Sequence, residues 1–329
     1  MWKIIRPYLR NIYRRLIGLK FFFYDYIRYI KFSGWKENFD DIEVRNYKSV
    51  ILYHGLEKSL SYKVRNPNSG WNNAYQILEL LKIADKDKNL GFHEKVSKIV
   101  LEKFLSLSEN INSEKTQYFI EELKKLNNFN ENYKASCGYI EYSKNDYENG
   151  ILENPEDFFL SRYSLREFKN EIVRDIDIKR ALNLSMKTPS VCNRQPWAIY
   201  HTSKKEIKDI VLTYQQGNKP FGENIPNLII VAVDLKAFFS ADEHYQHWID
   251  GGLLSMSIMY AFHSVGIATC PLNWSAKPKN DLGLRKSLNI KDNHTIIMVL
   301  AVGYPNENNK VCVSPRKTLD DIFYNLEKK

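Results

Sequence analysis

The run Leu228-Ile-Ile-Val-Ala-Val233, six consecutive apolar residues, constrains the fold most strongly. Its β-branched content predicts a buried strand. From about residue 155 onward, strand and helix signals alternate along the chain. This alternation predicts a three-layer α+β or α/β domain. The other predicted strands lie at 198–201, 267–272 and 295–302, and the predicted helices at 177–186, 204–214 and 244–265.

The chain before this domain has mostly helical periodicity. Apolar spacing predicts helices at 74–84, 96–107 and 116–126, whereas the short apolar run 49–53 predicts a strand. The stretch 127–150 is rich in Asn, Glu, Tyr and Lys and has no period, so it is the expected boundary. We therefore predict an arm over 1–36, a helical region over 37–150 and a mixed domain over 151–329.

Positive charge is concentrated in the arm. Residues 1–36 hold nine basic side chains and one acid, a net charge of +8, whereas the other 293 residues hold 39 basic and 38 acidic side chains. At helical spacing, six apolar side chains form one narrow stripe beside the basic ones. Such a helix suits an anionic membrane surface. The alternative is that the stripe packs on the rest of the protein or on a second subunit. The stripe comprises Ile5, Leu9, Ile12, Leu16, Leu19 and Phe23.

Several classes of protein are not expected from this sequence. The four cysteines form no CxxC pair, which indicates reduced thiols in a cytoplasmic protein. No stretch approaches 18 uncharged apolar residues, so no transmembrane helix is expected. Nucleic acid is not an expected partner, because no basic face continues beyond the arm. The pattern Glu243-His244-x-x-His247-x-x-Asp250 could bind a metal, but surface polar residues are the more common interpretation, so no metal site is predicted.

Two segments carry candidate chemistry. In the first, Arg162, Ser164 and Arg166 alternate, so in an extended segment they project to one side. Two guanidinium groups and a hydroxyl there would make a phosphate receptor, although such a triplet is commonly a solvated edge. The second segment is Thr188-Pro-Ser-Val-Cys-Asn-Arg-Gln-Pro-Trp197. Its polar groups could bind a flat heterocycle or, alternatively, cap their own backbone.

Together, the RxSxR segment and the PSxxNxQPW segment resemble the start of the nitroreductase family of FMN-dependent flavoproteins. The resemblance continues through Asp250-Gly-Gly, the segment from Val265 to Trp274, Val302-Gly-Tyr-Pro305 and Ser314-Pro-Arg-Lys-Thr-Leu319, and it covers about residues 155–325. It implies an α+β, three-layer fold with a central, mainly antiparallel sheet. It also implies a homodimer with two FMN sites at the interface.

The resemblance assigns roles to particular residues. It implies that Arg162, Ser164 and Arg166 hold the flavin phosphate and ribityl side, with Arg316 or Lys317 adding charge. It also implies that Pro189, Ser190 and Asn193 meet the flavin from the partner subunit, and that Gln195 supports their loop. Pro271, Leu272 and Asn273 are expected along the ring, although this chain has Asn273-Trp274 where the family normally has a glycine.

The implied activity is hydride transfer from NAD(P)H through FMN to an electron-poor small-molecule acceptor, with no side chain required as general acid or base. The segment Tyr53-His-Gly-Leu-Glu-Lys-Ser-Leu60 resembles the N-terminal extension of nitroreductase-like proteins encoded in bacterial surface-polysaccharide clusters. There His54, Glu57 and Lys58 could form a lid, or simply a capped helix with a surface ion pair. A glycan-pathway acceptor and a location at the inner membrane face would follow from that link. The alternative function is a non-redox, membrane-associated role in polysaccharide assembly.

Overall fold

The structure is a computed structural model that describes residues 2–129 and 133–328. Its helices and strands follow one another as α1 (Trp2–Phe32), α2 (Ile42–Ser61), α3 (Trp71–Asp87), α4 (Phe92–Leu105), α5 (Glu114–Lys124), α6 (Lys144–Glu148), α7 (Pro155–Leu160), α8 (Asp175–Ser185), β1 (Trp197–Thr202), α9 (Lys205–Tyr214), β2 (Asn227–Asp234), α10 (Gln246–Ser264), β3 (Ala268–Asn273), α11 (Pro278–Ser287) and β4 (His294–Gly303).

The four strands form one antiparallel sheet in the order β1-β2-β4-β3. Strand β2 lies inside it, and all eight of its residues are buried. Ile229 and Val231 pack with α8 and α10 on one face, whereas Leu228 and Ile230 pack with α9 and α11 on the other. The prediction of an α+β fold with three layers and an antiparallel sheet is therefore confirmed.

Helix α10 lies unusually close to the sheet at Gly251. A Cβ atom there would come within 2.4 Å of Ile297 Cγ1 and 3.0 Å of Val233 Cγ2. The glycine, which lowers helix propensity by roughly 1 kcal/mol, is thus compensated by close helix–sheet packing.

Helices α2 to α5 pack around a core of their own, which includes Leu56, Leu81 and Phe104. Within it, Arg45 forms a fully buried ion pair with Glu94, and its Nη1 lies 2.9 Å from Asp87 Oδ2. The division of the chain at 37 and 151 stays a prediction, and part of the expected boundary, residues 130–132, lies outside the described residues.

The predicted strand at 49–53 is wrong, because this run lies inside α2. Ser49, Val50, Leu52 and Tyr53 are all buried where α2 packs between α3 and α4. A helix buried on two sides places apolar residues consecutively, and a short apolar run then looks like a strand.

Candidate functional site

The segment that carries Arg162, Ser164 and Arg166 extends the sheet beyond β3. Ser164 forms a parallel bridge with Thr269, and the Leu165 N–H donates to the Thr269 carbonyl at 3.1 Å. Because side chains alternate along extended backbone, Leu165 packs into the core while its two neighbours turn the other way. The expected extended conformation is therefore present.

All three side chains line one cavity of about 320 Å³. The C-terminal segment contributes Ser314 and Arg316 to the same cavity. None of its described lining residues is acidic, so three guanidinium groups converge there without a carboxylate. The remaining lining residues are Phe159, Leu160, Tyr163, Met256, Tyr260, Cys312 and Val313.

Arg162 shows that this cavity suits an anion. Its Nη1 atom is enclosed by protein and has no hydrogen-bond partner among the described residues. Leaving such a donor unpaired costs about 1–3 kcal/mol, more for a charged group, so a ligand acceptor would offset that cost. The donor set of guanidinium and hydroxyl groups fits a phosphate monoester. We call the group Arg162, Ser164, Arg166 and Arg316 the basic cradle.

Other residues expected near the cradle differ in their placement. Lys317 is exposed and is not among the residues that line the cavity. Leu272 is buried in the core, whereas Pro271 is half-buried and Asn273 is exposed at the end of β3. Burial raises the pKa of the Cys270 thiol despite the nearby arginines, so this cysteine stays protonated and is a poor nucleophile.

A second cavity of about 440 Å³ lies beside Asn273. Its wall includes Phe21 and Tyr24 of α1, Trp248 of α10 and Trp274 just after β3. A space next to the edge of the sheet is therefore lined by four aromatic side chains, two from α1, one from α10 and one from the chain after β3. The same wall carries the charged side chains of Asp25, Arg28, Asp281 and Arg285, so the cavity combines flat aromatic surfaces with polar groups.

The second predicted segment, which precedes β1, is a tightly bonded turn. Ser190 Oγ accepts from the Gln195 N–H at 2.9 Å, and Gln195 Nε2 donates to Asn193 Oδ1 at 3.1 Å. Gln195 therefore holds the turn by two hydrogen bonds, and its role beside a flavin stays a prediction. Three residues of the turn have left-handed φ values, which are 48° for Cys192, 54° for Asn193 and 49° for Gln195. This conformation is uncommon for residues other than glycine and is less favourable for most of them, so the surrounding contacts stabilise the turn.

Asp250 of α10 supplies part of that stabilisation. Its carboxylate is fully buried and accepts from the Val191 N–H, with both oxygens 3.3 Å from the nitrogen. Gln246 Nε2 donates to the same carboxylate at 2.8 Å, and burial raises the pKa of Asp250. Asp250 therefore holds the turn against α10 through the Val191 N–H.

Arg194 anchors the other side of the turn. It is buried, with Nη1 donating to the Ala237 carbonyl at 2.9 Å and Nη2 donating to Glu243 Oε1 at 2.6 Å. Sequence reasoning missed Arg194, and it placed Glu243 in a metal pattern rather than in this ion pair. The only signal was that Arg194 lies within the PSxxNxQPW segment. In the described part of the chain, no three His, Cys, Asp or Glu side chains are grouped to hold a metal ion.

The turn and the basic cradle lie at opposite corners of the sheet. The turn leads into Trp197, which pairs with Val233, whereas the cradle strand pairs with Thr269, which lies level with Asn227. Six residues of β2 separate these levels, about 20 Å, and four strand spacings separate β1 from the cradle strand beyond β3, about 19 Å. One chain therefore does not bring the two predicted halves of the site together.

Two candidate residues of the helical region, His54 and Glu57, are in hydrogen-bonding contact. His54 Nδ1 lies 3.3 Å from Glu57 Oε2, and Glu57 Oε1 accepts from the Gly138 N–H at 2.8 Å. Lys58 is exposed beside them. These residues lie inside α2 rather than at its start, and Glu57 joins this helix to the segment that contains Gly138.

The comparisons with known proteins point to one family. Residues 160–216 match the Nitroreductase family, a span that includes both the RxSxR segment and the turn, so the resemblance to that family is confirmed. A protein of Archaeoglobus fulgidus with the provisional name NADH dehydrogenase/NAD(P)H nitroreductase is 27% identical over 151 residues, which are 45% of this chain and 83% of that protein. An iodotyrosine deiodinase of Hydra vulgaris is 26% identical over 227 residues, 57% of this chain and 80% of that protein.

Among solved structures, an FMN-dependent nitroreductase of Clostridium difficile has a TM-score of 0.45 at 18% identity, over 52% of this chain and 98% of that chain. A nitroreductase with bound FMN from Desulfitobacterium hafniense has a TM-score of 0.40 at 20% identity, over 54% of this chain and all of that chain.

Proposed function

We propose that this protein is a nitroreductase-type oxidoreductase that binds FMN and passes hydride from NAD(P)H through it to an electron-poor acceptor. The observation that carries the proposal is the basic cradle, with three guanidinium groups, no acid among its described lining residues and an enclosed, unpartnered Arg162 donor. The family match over 160–216 supports the same conclusion, as does the name of the Archaeoglobus relative.

The chain's own residues serve to bind and orient. Arg162, Arg166 and Arg316 would hold the FMN phosphate by charge-assisted hydrogen bonds, and Ser164 would add a hydroxyl. Bound FMN supplies the hydride-accepting and hydride-donating chemistry, so no side chain needs to act as a nucleophile or general base. Pro271 and Asn273, at the sheet edge next to the cradle strand, would lie beside the ring.

We infer that a second copy of the chain completes each site. The turn at 189–195 lies too far from the cradle of its own chain, so a partner's turn would have to supply Pro189, Ser190 and Asn193. Large apolar side chains on α10 are also exposed, such as Ile249 at 51% and Leu253 at 44%. A partner subunit that packs on them would remove this apolar surface from water. The segment after β4 exposes Phe323 at 61%, which suits a tail that packs on a neighbouring subunit.

The cavity beside Asn273 is our proposed place for the acceptor. Aromatic walls from Phe21, Tyr24 and Trp248 would stack on a flat, electron-poor ring. A glycan-pathway acceptor remains a prediction that rests on the resemblance of segment 53–60 alone.

The test is an anaerobic reduction experiment on the purified full-length chain. The protein is saturated with FMN, freed of excess and treated with NADH or NADPH, and p-benzoquinone is then added as acceptor. We expect the flavin absorption band to bleach with the nicotinamide and to return with the quinone. Protein that retains no FMN, or retained FMN that neither nicotinamide bleaches, would contradict the proposal. A colourless protein would favour the non-redox alternative.

A further inference from the structure

The apolar stripe of α1 is exposed from Ile5 to Phe23. Its side chains fall within about 80° of one another around the helix axis, at about 100° per residue. None of them is covered by the rest of the chain, and residues 5–16 are all exposed. The exposed fractions are 40% for Ile5, 48% for Leu9, 40% for Ile12, 62% for Leu16, 68% for Leu19 and 60% for Phe23.

The last turns of α1 anchor the helix to the mixed domain. Tyr24 Oη donates to Asp281 Oδ2 at 2.7 Å, Arg28 Nη2 donates to the Asp292 carbonyl at 2.8 Å, and Tyr29 Oη donates to the Ser240 carbonyl at 2.6 Å. The anchoring side chains lie about 100° or more around the axis from the middle of the stripe. The stripe therefore faces away from the domain, and the packing of α1 on its own chain does not consume it.

Cationic side chains border the stripe. Arg6 and Lys20 lie about 100° and 60° to one side of its middle and Arg15 about 80° to the other, whereas Arg10 and Arg14 lie on the opposite face, and all five are exposed. Asp25 is the only acid in residues 1–36. Exposed aromatic side chains sit at the boundary, such as those of Tyr8, Tyr13, Phe22 and Tyr26. This composition is typical of helices that lie in the interface of an anionic bilayer.

A second copy of α1 is a poorer occupant of the stripe. Pairing two stripes would place the basic side chains that flank them on both helices close together. Asp25 is the only acid in residues 1–36 that could oppose them, and like charges at that spacing repel. Anionic lipid headgroups complement the same side chains. Within residues 2–129 and 133–328, no helix is both long and apolar enough to span a bilayer.

We propose that α1 binds the surface of an anionic lipid bilayer, with the stripe inserted among the acyl chains and the basic side chains at the headgroups. Because Tyr24, Arg28 and Tyr29 attach α1 to the mixed domain on the opposite side of the helix, the rest of the protein then lies on the aqueous side. This inference does not depend on flavin binding.

The first test is co-sedimentation of the full-length protein with vesicles of phosphatidylcholine alone or with about one third phosphatidylglycerol. The variant R6Q/R15Q/K20Q, which removes the charges that flank the stripe, should bind the anionic vesicles about 100-fold more weakly than the wild type. The matched control K58Q/K63Q/K86Q removes the same charge from exposed positions of the helical region and should bind like the wild type. Equal weakening in both triple variants, or equal binding of the wild type to neutral vesicles, would overturn the anionic surface as the occupant.

The second test removes the stripe. L9S/L16S/F23S should lose binding to the anionic vesicles while its mass by light scattering and its near-ultraviolet circular dichroism match the wild type. Because these positions are exposed, the substitutions should not unfold the domain. A variant that still binds vesicles but forms a smaller oligomer would overturn the proposal in favour of a second copy.

Discussion

Replacing Arg162 with methionine should separate phosphate recognition from ring recognition. The Arg162 side chain lines a cavity with Arg166 and Arg316, and its enclosed Nη1 donor has no partner among the described residues. A hydrogen bond to a charged group contributes about 1.5–3 kcal/mol, so the Kd for FMN should rise by about 10- to 150-fold. Riboflavin lacks the phosphate, and its Kd should stay within about twofold.

The assay is a titration of flavin-free protein, followed by the quenching of flavin fluorescence and by thermal unfolding. At FMN concentrations 100 times the wild-type Kd, bound ligand stabilises the protein by about 2.7 kcal/mol. A 100-fold weaker variant should gain only about 0.4 kcal/mol at the same concentration. Arg180→Met, which removes the same charge from an exposed position of α8, is the matched control and should behave like the wild type.

The stability of the flavin-free variant provides a check on this reasoning. Because an unpaired buried donor is unfavourable, Arg162→Met should leave the free energy of unfolding unchanged or raise it. A loss of more than about 1 kcal/mol in the flavin-free protein would mean that Arg162 has a structural role instead. Parallel weakening of FMN and riboflavin would refute phosphate recognition by this side chain.

Three further substitutions probe the supports of the site and the fold. Asp250→Ala removes the acceptor of the Val191 N–H, so FMN and riboflavin should both bind more weakly by about 1–3 kcal/mol in the same titration, and an unchanged Kd would contradict the positioning role. Burial lowers the pKa of His247 to about 4, so only the unfolded imidazole gains a proton as the pH falls below 6.5, and stability is lost on acidification. His247→Phe should therefore lose about 2 kcal/mol less than the wild type between pH 7 and pH 5 in urea titrations, whereas an equal loss would contradict that titration. Arg45→Met leaves the buried Glu94 unpaired and should cost about 3–5 kcal/mol in urea denaturation, and a loss below about 1 kcal/mol would show that the ion pair contributes little.

Local patterns in the sequence predicted those parts of the fold that local patterns determine. The uninterrupted run at 228–233 fixed a buried strand, because β-branched residues without polar interruption fit the inside of a layered sheet. The alternation of Arg162, Ser164 and Arg166 predicted a shared direction, because side chains alternate along extended backbone whatever lies around them. Both features depend only on neighbours in sequence.

Features that depend on distant residues could not be predicted in this way. The run at 49–53 was assigned to a strand because two-sided burial of α2 by α3 and α4 is not visible from five residues. The supports of the turn were also hidden. Arg194 forms an ion pair with Glu243, which lies 49 residues later in the chain, and the Val191 N–H donates to Asp250, which lies 59 residues later. Periodicity likewise found the stripe of α1 but could not tell which way it faces, since only the anchors at Tyr24, Arg28 and Tyr29 decide that.

Native mass spectrometry of the full-length protein after saturation with FMN tests the shared flavin site most directly. Separation of the turn from the cradle within one chain predicts a species with two chains of 38.8 kDa and two FMN molecules. Arg162→Met should keep the two chains and lose the flavin at the same FMN concentration. A single chain that carries FMN, or two chains that take up none, would contradict a flavin site built from the cradle of one subunit and the turn of the other.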